Sequence, residues 1–517
     1  MINKNNRNNN ILILLTCILI GILFLIDERY RINHIFAIIL MIVIFNKFKD
    51  CSFRKMVYYI TIVFAIMGPG LSIPLSENLI LTRFNVYYLF IGIYILTVII
   101  QLCTREVKIN FREIFKKKIN IISTLFMVYV FGSIIITDNK IFALKQAFIY
   151  LVMFMLFIII VNENSTSNQR KDTFRIISYI SVGIIFLGSF KIFTAMPIEP
   201  RSIYTDYNII ISESQAYMKR IPTVFFYNPN DYAMVVVLIL LGSLGKIIGN
   251  GIKNSRGYIL MYIIAQLNLI YTCSRTGWIG LVVSIIALGI YFIVKVNKDM
   301  FRNCVIMFTI TMSIFIGLSY FQFSQPYYGK IKNTCNEISM SIKPREIYLV
   351  SLNDKIYRSL PNQNKGEYFF GFEIGEENSV NKRITLVYDV LKGIFKEKRY
   401  LGFGVGNTSQ YIMQQNNTYG LYYVHNFWFE ILGDFGVVGF GLFITIYVYA
   451  FIKLIIRKIK KSIEDNMCIS ILIAIIPLVF GPSSVVGFAV FWIALAMVYS
   501  NITYIRIEKE GKYEFNK

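Results

Sequence analysis

The amino-acid sequence predicts an all-α polytopic integral membrane protein of roughly 12–14 transmembrane helices, with one large extracytoplasmic loop. Three observations predict it. Of 517 residues, 56% are hydrophobic and 16% aromatic while only 16% are charged, more apolar surface than a soluble fold of this length can hide. The apolar residues fall in runs of helical length, one after another. The Lys and Arg residues behind the formal charge of +23 sit in short clusters between those runs. That is the positive-inside pattern of a membrane protein, and it excludes the continuous basic face that nucleic acid would need.

The first run, 11–26, follows Lys4 and Arg7 as a signal peptide would. It ends in Asp27-Glu28-Arg29 without a small-x-small cleavage site, so it reads as a retained first span. Further runs lie at about 34–46, 56–67, 86–102, 119–136, 141–161, 174–196, 232–248, 257–272, 278–296, 303–323, 436–456, 467–480 and 485–504. The second, third and thirteenth are short for a span and are expected to be tilted, re-entrant or merged. Basic clusters occupy every second connection, for example Lys47/Lys49/Arg54/Lys55, Lys246/Lys253/Arg256 and Lys453/Arg457/Lys458. Both termini are therefore expected in the cytoplasm, and connections 197–231, 273–277 and 324–435 outside. This divides the chain into an N-terminal transmembrane bundle (1–323), the outer loop (324–435), and C-terminal helices with a short cytoplasmic tail (436–517). Seven scattered cysteines, with no Cys-x-x-Cys, give neither a disulfide framework nor a metal site.

The outer loop is too long for a linker. A mixed region, 327–379, contains alternating pieces such as Glu346-Ile347-Tyr348-Leu349-Val350. An amphipathic helix is expected over 381–396, with Ile384, Val387, Tyr388, Leu391 and Phe395 on its apolar face. The cluster Gly402-Phe403-Gly404-Val405-Gly406 has no downstream Gly-Lys-Ser/Thr, so it is a poor nucleotide loop. No internal repeat is visible, unlike many secondary transporters.

Three charged positions stand at the expected outer membrane border. Arg220 precedes Asn228-Pro229-Asn230, a turn and helix-start pattern; it is either a surface charge beside a cap or a grip on an anionic head group. Arg275, in Ser274-Arg275-Thr276-Gly277, lies on the side where positive charge is scarce, in a connection of a few residues. A charge so near hydrocarbon snorkels to lipid phosphate or has a partner or cavity of its own. Gly277 and Gly280 permit close approach of a helix or a substrate. His425, one of two histidines, opens His425-Asn426-Phe427-Trp428. It is either an aromatic-belt residue or a proton acceptor titrating near the usual imidazole range, with Glu430 and Asp434 as possible orienting acids.

Taken in order, these pieces resemble the O-antigen ligase and O-antigen polymerase superfamily of bacterial envelope enzymes. The matching residues are Arg220 with Asn228-Pro229-Asn230, then Ser274-Arg275-Thr276-Gly277, then Arg383 heading a helix that runs into Gly402-Phe403-Gly404. His425-Asn426 and Gly436-Val437-Val438-Gly439 follow. The resemblance spans about 200–456. Pro222-Thr223 departs from it, since a glycine is common there in the family.

The resemblance implies inverting, metal-independent glycosyl transfer with no cofactor, on the outer face of the bacterial cytoplasmic membrane. The donor would be a glycan on undecaprenyl diphosphate and the acceptor a saccharide or lipid-glycan. Arg220, Arg275 and Arg383 would bind the donor, and His425 would be the general base. Abundant Ile, Asn and Lys hint at an AT-rich genome, which tilts the expectation toward a capsule or teichuronic-type polymerase. The alternative class is a flippase for lipid-linked oligosaccharide, which would be expected to carry charges at mid-membrane.

Overall fold

The computed structural model describes residues 2–26, 31–75, 83–105, 118–196, 220–324, 368–375, 379–456, 463–482 and 484–514. Each apolar run coincides with a helix. In chain order these are α1 (Ile2–Ile26), α2 (Arg31–Phe48), α3 (Phe53–Met67), α4 (Val86–Cys103), α5 (Lys118–Gly132), α6 (Lys140–Glu163) and α7 (Ser167–Thr194). The bundle continues with α8 (Pro229–Asn250), α9 (Arg256–Tyr271), α10 (Arg275–Val294) and α11 (Lys298–Ser324). Two helices of the 324–435 segment follow, α12 (Ser379–Leu391) and α13 (Thr408–Gln415). The chain then re-enters the bundle with α14 (Phe427–Ile456), α15 (Ile463–Leu478) and α16 (Ala489–Glu514). Two small hairpins are the described strands: Ser72–Pro74 with Arg83–Asn85, and Tyr368–Phe369 with Phe372–Glu373.

The protein is a polytopic membrane protein. Nine described helices (α1, α2, α4, α6, α7, α8, α10, α11 and α14) are long and apolar enough to span. The other apolar helices are shorter, and burial explains why they need not face lipid along a full span. In α3 every residue from Met56 to Met67 is buried, as expected of a helix that is apolar all round. α15 wedges between α8 and α10, where glycine lets it come close. A Cβ on Gly245 would lie 2.3 Å from Met467, and one on Gly280 would lie 2.9 Å from Leu478. Outward-pointing Leu14, Leu25, Ile135, Ile293 and Val294 are all exposed, as lipid-facing side chains would be. Two buried charges, Glu163 and Arg170, are paired: Arg54 Nε lies 2.9 Å from Glu163 Oε1, and Arg170 donates to Glu464 at 3.1 Å.

Within its described residues, the segment expected outside departs from the sequence expectation in two ways. The mixed region lies largely outside the described residues, including Glu346-Ile347-Tyr348-Leu349-Val350 and Cys335. The expected 381–396 helix is present, but its deepest stripe is Leu386, Val390 and Ile394 rather than Ile384, Val387, Leu391 and Phe395. Phe395 is 52% exposed. The reason is twofold. A π-helical turn (Lys392–Lys396) shifts the angular register at the end, and a polar stripe of Asn381, Thr385 and Asp389 is buried as well. Thr385 Oγ1 accepts from Gly375 N at 3.0 Å, and Asp389 Oδ1 accepts from Asn417 Nδ2 at 3.1 Å. Finally, the span expected to begin at 436 begins at Phe427 instead, and position 436 is a break within it: Gly436 has φ 60° and ψ −164°.

That break receives the glycine cluster. Where α14 loses its own backbone bonds, Phe403 N donates to Gly433 O (2.8 Å) and Gly404 N to Asp434 O (2.9 Å). Val437 N in turn donates to Tyr400 O at 2.9 Å. The Asp434 carboxylate takes Gly406 N, Thr408 N and Thr408 Oγ1. The cluster is thus a plug locking the outer segment into the bundle. Gly402 has φ +89°, and a Cβ there would sit 2.5 Å from both Asp434 O and Gly436 N. Gly402→Ala is therefore expected to destabilise the protein by on the order of 2–4 kcal/mol, read as the melting temperature of the detergent-solubilised protein. A melting temperature within about 2 °C of the native protein would mean that the turn is not docked in this way.

Candidate functional site

Three helices begin at one place. Asn228 caps α8, its Oδ1 accepting from Asn230 N and Asp231 N at 2.9 Å each. Proline at the first helical position suits its fixed φ and missing N–H. Ser274 caps α10, with its side chain accepting from Gly277 N, and its hydroxyl also donates to Asn230 Oδ1 at 2.8 Å. The starts of α8 and α10 are thereby tied together. α14 starts two residues after His425, with Asn426 Oδ1 accepting from Trp428 N. Phe427 N donates to Val479 O, at the turn between α15 and α16. The same turn reaches the other two helices. A Cβ on Gly481 would lie 2.5 Å from Thr276 Oγ1 and 3.5 Å from Asn230 Cβ, so only glycine lets the turn pass.

His425 and two arginines meet here. The imidazole is half-buried and hydrogen-bonded to the Gly481 backbone, and its Nδ1 has no hydrogen-bond partner. Its backbone is left-handed, φ 52°, a conformation held by the surrounding structure rather than preferred. Burial first, and the Arg383 charge second, push its pKa down to about 4, against the opposing effect of the Gly481 bond. Arg383, half-buried on the first turns of α12, has its own pKa lowered by burial and then by Arg275. Arg275 is exposed at the first position of α10. Among the described residues neither guanidinium has an acidic partner. The Arg275 charge thus acts on Arg383, and the Arg383 charge on His425, close to where α10 and α14 begin.

The sequence-predicted residues divide. Arg383 lies within electrostatic reach of both Arg275 and His425. Arg220 does not join them through any described contact: its Nη1 donates to Ile192 O (3.0 Å) and Phe193 O (3.3 Å), the end carbonyls of α7. It caps a helix C terminus, where a cation is favoured. Gly277 and Gly280 serve helix packing, meeting Leu269, Ala233 and Leu478. Glu430 and Asp434 do not orient the imidazole. Glu430 accepts from Ser484 Oγ at 2.7 Å, and Asp434 holds the glycine plug. Missed altogether was Gly481, which contacts both the histidine and the arginine-bearing helix. Gly481-Pro482-Ser483-Ser484 is a turn signal in the sequence, but nothing there says that the turn folds back to His425.

Residues 260–444 match the family described as O-Antigen ligase. The match is narrower than the 200–456 of the sequence resemblance, and it contains Arg275, Arg383 and His425 but not Arg220 or Gly481. No curated protein matches the chain.

Proposed function

We propose, taking residues 260–444 as an O-antigen ligase family domain, that the protein is a glycosyltransferase that polymerises or ligates lipid-linked saccharide. The donor is a glycan on undecaprenyl diphosphate, used at the outer face of the cytoplasmic membrane during surface polysaccharide synthesis. The observation that carries this reading is the Arg275–Arg383–His425 cluster, in which, among the described residues, neither arginine has an acidic partner.

In this mechanism Arg275 and Arg383 hold the diphosphate, and an acceptor hydroxyl attacks the anomeric carbon from the face opposite it. The carbon–oxygen bond to the diphosphate breaks, its electron pair leaves with the phosphate oxygen, and configuration inverts. The His425 imidazole takes the hydroxyl proton. The arginines stabilise the charge growing on the departing group, the role a divalent ion plays elsewhere. Binding of the anionic donor opposes the Arg383 charge, so the imidazole becomes a stronger base once the donor is present. Arg220 stabilises the end of α7. A flippase is the less favoured reading, because Arg275, Arg383 and His425 lie at or near the starts of helices rather than along their middles.

Purified protein supplied with a lipid-diphosphate repeat unit should release undecaprenyl diphosphate and form a longer saccharide; movement of the lipid without new glycosidic bonds would point to the flippase. The side of the membrane is tested separately. Reporter fusions after Lys118, Lys253 and Lys461 should read cytoplasmic, and fusions within 330–420 extracytoplasmic. A cytoplasmic reading at 330–420 would remove the outer-face mechanism.

A further inference from the structure

The segment leading into His425 carries three tyrosines that the reaction does not use. Tyr419, Tyr422 and Tyr423 are 44%, 37% and 44% exposed. Yet the chain that bears them is fastened at both ends. Upstream, buried Asn417 is bonded to buried Asp389 of α12. Thr418 closes a turn, accepting Leu421 N at 3.1 Å while its hydroxyl donates to Leu421 O. Downstream, Val424 is 4% exposed, packed into the outer core with Leu386, Val390 and Leu432. Tyr419 stands at φ 53°, an uncommon conformation for so bulky a side chain, followed by Gly420 at φ 80°. A segment with this fastening presents its rings in fixed places instead of letting them fold inward.

Their placement is continuous with the site. Lys382 Nζ lies 4.8 Å from the centre of the Tyr419 ring, which puts that ring beside the residue preceding Arg383. Tyr422 and Tyr423 are 5.0 Å apart between ring centres, tilted by 42°, and lead through Val424 to His425. The rings therefore run from the donor-holding arginine to the base. At one end of the row the Lys382 ammonium is a polar neighbour of the Tyr419 ring.

We propose that Tyr419, Tyr422 and Tyr423 form a stacking shelf for the acceptor saccharide, binding the sugar units behind the one that reacts. This rests on the glycosyl-transfer reading above and adds to it the place of the acceptor. The chemistry suits a sugar. One face of a pyranose ring presents C–H groups of slight positive charge, which settle on the negative face of an aromatic ring, while its hydroxyls remain at the edge for polar neighbours. A shelf of several rings makes affinity grow with acceptor length, because each further sugar unit finds a further ring.

The test uses oligosaccharides of graded length, cut from the surface polysaccharide of the bacterium that makes the protein. With the native protein the acceptor KM should fall as length increases. In Tyr422→Ala and Tyr423→Ala this dependence should flatten, with KM for long acceptors rising about tenfold per ring removed. The Tyr→Phe variants, which keep the ring and lose only the hydroxyl, should retain it. Alanine variants with the native length dependence, or phenylalanine variants as impaired as alanine ones, would overturn the shelf. So would a loss equal at every acceptor length, the result expected if the rings seat the loop on lipid. Failure of the underlying reading looks different: the native protein would transfer no sugar at all. Direct binding of the same oligosaccharides, followed by saturation-transfer NMR, then decides the shelf alone, and equal binding by native and alanine proteins would overturn it.

Discussion

Replacing His425 with alanine should slow glycosyl transfer by roughly 100- to 10,000-fold while leaving donor binding nearly unchanged. The two effects separate because the proton comes from the acceptor, whereas the diphosphate rests on Arg275 and Arg383. The pH dependence carries a second, more specific expectation. The imidazole accepts a proton only when neutral, so kcat/KM should be full above its free-enzyme pKa of about 4 and fall below it. That is well under the usual imidazole range anticipated from the sequence, and burial beside Arg383 is the reason. In kcat the same limb should lie at higher pH, since the bound donor's negative charge favours the imidazolium. His425→Ala should lose the limb from both profiles. The other histidine cannot replace it, because His34 is 1% exposed within α2. Native turnover with an unchanged pH profile in His425→Ala would move the base to another group. Glu430 and Asp434 are poor candidates, being occupied by Ser484 and by the Gly406–Thr408 turn.

The helices were legible because a membrane leaves the chain few choices. Every backbone polar group needs a partner, and an apolar run of helical length supplies its own. The candidate site was legible in part for a related reason. An arginine or histidine at the end of such a run is costly without a purpose, so Arg275 and His425 stood out individually. What brings them together could not be read, because it depends on contacts between distant segments. Gly481 is an example: it matters for the space it leaves beside Thr276 and for its bond to the imidazole. Arg220 is the opposite case. Its position before an Asn-Pro-Asn helix start looked like the other two, but the carbonyls it binds belong to α7, which periodicity alone cannot place nearby. The misjudged face of α12 has a local cause. A period of 3.6 assigns one apolar stripe, and this helix is buried on two sides and ends in a π turn.

Arg275→Lys should be nearly as damaging as Arg275→Ala. Lysine keeps the charge but not the planar fork that grips two phosphate oxygens at once, so a merely electrostatic role and a bidentate one give different results. The electrostatics sharpen the comparison, because the Arg275 charge acts on Arg383. Removing one cation relieves that repulsion in the empty site and weakens the hold on the donor. Arg275→Ala and Arg383→Gln should each raise the donor Kd and lower transfer, and the double variant should lose less than the product of the two losses, as expected of residues sharing one ligand. Arg383→Gln has a further consequence that Arg275→Lys lacks. Losing the charge next to His425 should raise the imidazole pKa, so the acid limb of kcat/KM should move to higher pH. Polymer formation from a lipid-diphosphate repeat unit, with membrane expression checked alongside, measures all of these. Full activity in Arg275→Lys would reduce that residue to surface charge, and an unmoved acid limb in Arg383→Gln would mean that the Arg383 charge does not act on His425.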